Sequence, residues 1–488
     1  MHAFRTNLTP SVTESDFTVV WSRTGLSGNR RLLDTGGQAV AVEFESVGRN
    51  GNHSSLYSTG VKLPKGTVPG SYQLVIGEER LWLKALPKPE PRRHATLYPW
   101  TSALSADYVN WLLANGYDLN FASGAYAFDR PIVLPDAGCR IAGEGARFYR
   151  KANGVWGEHC FTGGQNVTFI GCEFQPLQYL YWSAEPRYGF AFAGCKFASG
   201  TFGWPLVDAV FLNCEWDRGG IEDGAPLGLY QNCRFRRNDA YHAFKVRGPC
   251  EGKLALIDCE WDDTDRGPIF HCNDGSVTDN LIVNPKFHRI QRDQNGNEMV
   301  SAEGGVGAMT GGYSFSRNLI LGARVSGCDG NFGLMWDVPN HDNLYRDFVI
   351  EGGGGIWLSG VSDVHCTGNV YEEFELRDTD GIRFGWQEAG VDGAGNPNGR
   401  KHGLGIANNI IRNGGILGYR NSRMNQGRYD PAFYTRQAVI EYFASGEGNR
   451  IDNVVNQSGK PWHDWAAPGP VPFNQDQVRL PGQLAADQ

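Results

Sequence analysis

Five short segments of the chain end in side chains that could do chemistry: "HAFKVRG" (242–248), "PIFHCNDG" (268–275), "FGLMWDVPNHDN" (332–343), "GIWLSG" (355–360) and "GIRFGWQE" (381–388). Aligning Phe244 with Phe270 makes Lys245 and His271 neighbours and sets Arg247 beside Asn273. Trp336, Asp337, Trp357 and Arg383 extend the same face. A surface that mixes cations, carboxylates and exposed rings suits a sugar polymer. Flat apolar sugar faces stack on Trp, while hydroxyls and carboxylates take charged hydrogen bonds. The plainer alternative for each residue is a solvated flank.

Two reactions fit such a face. Glycoside hydrolysis needs two carboxylates about 5–10 Å apart, one of them protonated. Asp337, Glu303 and Asp274 are the candidates, with Asp342 behind them and His271 available for proton transfer. A lyase instead needs a base to take the proton α to a uronate carboxylate, and cations to neutralise the developing charge. Lys245, Arg247, His271 and Arg383 supply those groups. The acidic clusters "EDG" (222–224) and "DDTD" (262–265) read as turns. No cofactor is expected, because no Gly-rich loop sits between strand and helix. No metal is expected either, because the cysteines are spaced along the chain and do not converge on one point. The His–Asp neighbours of "HDNLYRD" and "WHDW" lack a companion nucleophile motif and read as loop polar residues.

Something must hold these segments side by side, and the repeat supplies it. The phrases "FIGCEFQ", "FAGCKFA", "FLNCEWD", "YQNCRFR", "LIDCEWD" and "IVNPKFH" place Cys172, Cys195, Cys214, Cys233, Cys259 and then Pro285 in one slot. An aromatic follows two positions later in every copy. Between them the charge alternates: Glu173, Lys196, Glu215, Arg234, Glu260, Lys286. In a strand, neighbours point to opposite faces, so Cys and the aromatic go inward and the charged residue outward. Parallel copies stacked about 4.8 Å apart would turn a column of glutamates into repulsion, and the sign switch turns it into attraction. Fainter copies follow at "LGARVS", "RDFVIE", "TGNVYE", "ANNIIR" and "IDNVVN", with Asn369, Asn409 and Asn453 assigned to the Cys slot as an inward Asn ladder.

A repeat of roughly 20–26 residues with short strands and Gly/Asn turns is the signature of a β-solenoid. The regular leucines and helical half of a leucine-rich repeat are missing. From about 100 to 460 the sequence resembles the right-handed parallel β-helix superfamily of pectate-lyase-like enzymes and phage tailspikes. "GAYAFDRPIVLP" and "RIAGEG" resemble the opening of that fold. The resemblance implies an all-β, right-handed, single-stranded parallel β-helix. It carries over no catalytic residue, because the motifs of polygalacturonases, pectate lyases and alginate epimerases are absent. It also implies a virion-attached or extracellular protein and a homotrimer.

Around the solenoid, residues 1–87 alternate at period two as a small β-sandwich, and "VKLPKGTVPGSYQLVIGEERLWLKAL" resembles the last hairpin of an Ig-like module. The Pro-rich stretch 88–100 reads as a linker. The β-helix is expected over 101–465, with a cap helix near 105–115: Ser105 can N-cap "ADYVNWLLAN" and Gly116 can stop it. Residues 466–488 read as a tail, and "GVDGAGNPNGRKHG" (390–403) as an overhanging loop. The balance of 45 Lys+Arg against 53 Asp+Glu gives −8, which argues against nucleic-acid or anionic-membrane partners. No apolar run spans a bilayer and no secretory signal opens the chain. Eleven cysteines, an odd number, fit free thiols better than a disulfide framework. The expected partner is a polysaccharide and the expected activity its hydrolysis. A uronate lyase and a non-catalytic adhesin or spike on the same scaffold are the alternatives.

Overall fold

The computed structural model describes residues 4–7, 17–22, 29–49, 57–62, 70–77, 79–85, 92–100, 104–150, 159–175, 179–183, 187–198, 201–202, 206–207, 209–218, 225–237, 244–251, 254–264, 266–272, 274–290, 300–303, 312–328, 331–336, 338–353, 355–360, 366–379, 381–386, 406–418 and 449–458. The chain forms two compact units. One comprises Met1–Lys245, Gly252–Glu260 and Asp279–Leu281; the other comprises Val246–Glu251, Trp261–Thr278 and Ile282–Gln488.

The first unit begins with two four-stranded antiparallel sheets. One contains Phe4–Asn7, Phe17–Ser22, Tyr57–Lys62 and Glu43–Arg49; the other contains Ala39–Val40, Arg30–Leu33, Gly70–Ile76 and Glu79–Ala85. The stretch "QAVAVEFES", which alternates as one strand in sequence, divides at 41–42 and serves both sheets. Strand Arg93–Leu97 then pairs in parallel with Tyr117–Phe121. Between them lies helix α1 (Ala106–Ala114), capped by the Ser105 hydroxyl, which accepts from the Tyr108 amide at 3.2 Å. The helix buries Ala106, Val109, Leu112 and Leu113. At its other end the Arg92 guanidinium donates to the Leu113 and Tyr117 carbonyls (2.8 and 2.9 Å), tying the helix end to the strand that follows it.

The repeat phrases lie directly over one another. Arg147 pairs with Glu173, Glu173 with Lys196, Lys196 with Glu215, and Glu215 with Arg234. Charges therefore alternate up the outward column, with Lys196 and Glu173 at 3.6 Å and Arg234 and Glu260 at 3.7 Å. Inward, Phe169, Phe192, Phe211 and Tyr230 stack with centroids 5.1, 4.8 and 4.5 Å apart and planes within 7°. A second aromatic column runs through Phe174, Phe197, Trp216 and Phe235. Cys195, Cys214, Cys233 and Cys259 are buried, and each thiol donates to a carbonyl one rung away at 3.3–3.6 Å. This is a parallel β-helix.

The coil turns on single residues. The position before the Cys slot has positive φ from the Cys172 rung onward: Gly171, Gly194, Asn213, Asn232 and Asp258 in the first unit, then Asn284, Gly322, Asp347, Glu373, Asn413 and Asn453 in the second. Gly, Asn and Asp tolerate this left-handed conformation, and glutamate does not. The exposed Glu373 (φ 57°) is therefore the misfit of the column. Replacing it with Asn should raise stability by about 0.5–1 kcal/mol, read as a higher denaturant midpoint with unchanged slope; a lower midpoint refutes the reading.

In the second unit the Cys slot passes to Ala323, Phe348, Phe374 and Gly414, as the strand register shows. The rings of Phe348 and Phe374 stack at 5.3 Å. The inward Asn ladder exists at a different corner. Each amide of Asn318, Asn343, Asn369 and Asn409 donates to the next amide oxygen, in turn Asn343, Asn369, Asn409 and Asn449, at 3.0–3.2 Å. Asn369 and Asn409 belong to this ladder, five residues ahead of the Cys slot. Asn453 does not: it is a left-handed corner residue whose amide donates to Asn413.

Candidate functional site

Two further parallel sheets form the other faces of the second unit. The one that carries the sequence candidates has six strands: Phe244–Arg247, Pro268–His271, Val300–Glu303, Asn331–Trp336, Gly355–Gly360 and Ile382–Trp386. Val246, Phe270 and Val300 are fully buried and fix the inward face. Arg247 and His271, one residue further along, are half-buried.

The hydrogen bonds correct the register read from sequence. The Gly248 amide donates to the His271 carbonyl at 2.9 Å, and in a parallel pair that bond seats Arg247, not Lys245, against His271. Two glycines hold this offset. A Cβ on Gly248 would collide with the Gly275 carbonyl oxygen, and one on Gly275 would sit 2.8 Å from Pro249. The turns after Arg247 and after His271 thus pack backbone to backbone. His271 then pairs with Glu303, and Glu303 with Trp336. A shift between Val300 and Ser301 brings that last pairing about. Four candidates chosen from sequence therefore occupy consecutive rungs at one register position, roughly 4.8 Å apart: Arg247, His271, Glu303, Trp336.

The remaining candidates fall elsewhere. Trp357 pairs with Arg383 on the last two strands of the sheet. Lys245 is half-buried and belongs to the first unit, where its carbonyl accepts from the Ala225 amide. Asp274 is exposed in the turn that follows His271. Asp337, Asn273 and the 390–403 loop lie outside the described residues, as do "EDG" and "WHDW". Of "DDTD", Asp262 accepts from Arg289 at 2.9 Å and Asp263 is a left-handed corner, so both serve the coil. His341 Nδ1 lies 3.0 Å from Asp342, itself a corner residue.

The arrangement sets chemical limits. Cys272 follows His271 but is buried, and burial pushes its thiol up to about 12. A protonated thiol on the inward side is no partner for a Cys–His nucleophile. Among the described residues no three His, Cys, Asp or Glu side chains are grouped to hold a metal ion. What the register sets in succession is Arg247, His271, Glu303 and Trp336.

No family model and no curated protein matches the chain. Solved structures do. The catalytic domain of a GH87 α-1,3-glucanase in complex with nigerose is 12% identical at TM-score 0.39, over 92% of this chain and 89% of that one. An alginate lyase from Paenibacillus sp. str. FPU-7 is 13% identical at TM-score 0.23, over 75% and 99%. A family 28 exopolygalacturonase from Yersinia enterocolitica is 6% identical at TM-score 0.26, over 92% and 97%. These scores are low, and the fold stands on the ladder register rather than on them.

Proposed function

We propose that the protein binds a polysaccharide along the outward face of the six-stranded sheet and cleaves it at the Arg247–His271–Glu303–Trp336 column. The observation that carries this is the register: Arg247 beside His271, His271 beside Glu303 and Glu303 beside Trp336. Parallel strands spaced about 4.8 Å apart are close to the advance of one sugar per rung. A chain lying across the strands would therefore meet a cation, an acid–base group, a carboxylate and a stacking ring in turn.

Of the two reactions, β-elimination on a uronate polymer gains most from this order. Arg247 would pair with the uronate carboxylate and hold charge that builds as the α proton leaves. His271 would take that proton, and the electrons would expel the glycosidic oxygen at the β carbon, leaving an unsaturated sugar. Glu303 would orient the imidazole from the next rung. Hydrolysis is the second reading, favoured by Glu303 as a general acid at the centre of the column; its second carboxylate would come from Asp337.

Incubation with polygalacturonate, alginate and neutral glucans separates the readings. Unsaturated-uronate absorbance together with new reducing ends is expected. Reducing ends without that absorbance would move the assignment to hydrolysis. Neither signal on any polymer would leave a glycan-binding spike and end the enzymatic reading.

A further inference from the structure

We propose a second, non-catalytic glycan-binding platform on the solvent face of helix α1 and the segment before it, formed by Tyr98, Trp100, Tyr108 and Trp111. The large apolar side chains most exposed among the described residues are these four, Val133, Leu417 and Val455. All the aromatics in that set therefore fall between positions 98 and 111. Trp100 is 74% exposed and Trp111 56%, whereas Trp216 and Trp261 are fully buried in the coil. The fold does not need these rings. The helix packs through Ala106, Val109, Leu112 and Leu113, and an outward Trp or Tyr is a poorer helix former than Ala, Glu or Lys.

The ring geometry points to the occupant. Tyr108 and Trp111 lie parallel within 6° with centroids 6.5 Å apart, and Tyr98 and Trp100 stack at 5.0 Å. Each pair keeps its outward ring surface in solvent, and such flat apolar surface suits the face of a pyranose. Polar groups for sugar hydroxyls adjoin them: Asp107 and Arg130 form an exposed ion pair at 3.0 Å, and the Asn115 amide lies at the helix end. That ion pair brings no net charge, so the platform recognises ring faces rather than carboxylates. The exposed part of the four rings amounts to roughly 300–500 Å². A stable protein interface buries about 800 Å² per partner, so the patch is too small to hold a second copy of the chain.

This platform does not depend on cleavage at the Arg247–His271 column, and the two can fail separately. Affinity electrophoresis of the full chain through gels containing polygalacturonate, alginate or hydroxyethyl cellulose tests it. Trp100→Ala and Trp111→Ala should each weaken retardation by roughly tenfold. Trp111→Tyr should keep most of it, and high salt should change it little. His271→Ala, with the platform intact, should still be retarded. Wild-type retardation in both Trp→Ala variants overturns the platform, and so does the absence of wild-type retardation in every gel. A wild-type oligomer that Trp111→Ala dissociates in sedimentation would also overturn it, by making the face a contact between copies.

Discussion

Replacing Glu372 with alanine is expected to cost about 2–4 kcal/mol of stability, the largest loss from any single charged side chain among the described residues of the second unit. Glu372 sits in register between Arg346 and Arg412 on the outward side of the coil, yet its side chain is 3% exposed. Arg412 donates to one carboxylate oxygen at 2.6 and 2.7 Å, and Arg346 donates to the other. Removing one member of a buried ion network leaves its partners uncompensated, which costs about 3–5 kcal/mol when all are buried. The cost is lower here because Arg412 is 42% exposed and regains water. The pH dependence has a definite sign. Burial by itself would raise the carboxyl, but hydrogen bonds from Arg412 and Arg346 and their charge outweigh it and hold it below its ordinary 4.5. A depressed folded value stabilises above the unfolded value and is lost as pH falls through the folded one. Wild type should therefore exceed Glu372→Gln most clearly at neutral pH, and the gap should close below about pH 4. A gap that widens in acid would mean that the two arginines do not hold the carboxylate.

The same triad illustrates what the sequence shows and what it hides. The alternating column from Glu173 to Glu260 is legible because strict phrases recur, and each charged residue has one possible face. Arg346, Glu372 and Arg412 obey the same rule, but their phrases "RDFVIE", "VYEEFE" and "IIRNGG" no longer share a Cys to anchor the alignment. The Asn assignment fails for a related reason. Both corners of the coil place a left-handed residue immediately before a small inward one: Asn232–Cys233 at one, Asp342–Asn343 and Asn408–Asn409 at the other. A reader matching "turn former, then small residue" slides from one corner to the other without a penalty. At the candidate site the slip was two residues. A shift of one flips every side chain and is visible in the pattern, whereas a shift of two keeps Phe244, Val246 and Phe270 inward and leaves no trace in sequence. Only the Gly248–His271 hydrogen bond settles it, and it moves Arg247 beside His271.

That move makes the second large prediction specific. If His271 is the base, His271→Ala should lower kcat by about 10²–10⁴-fold with KM nearly unchanged, the usual worth of a positioned proton acceptor. On the same reading Arg247 would pair with substrate in both ground and transition states, so Arg247→Ala should raise KM and lower kcat together. Arg247→Lys should recover charge but not the two-pronged contact, and so restore only part of the rate. Lys245→Ala distinguishes the corrected register from the one read in sequence. With Arg247 against His271 it should leave the rate within about twofold, and a loss as large as that of Arg247→Ala would restore the original alignment. Cys272→Ala should leave kcat intact, because a thiol held protonated on the inward side takes no part. Full activity in His271→Ala on every polymer that wild type cleaves would remove the column from the chemistry.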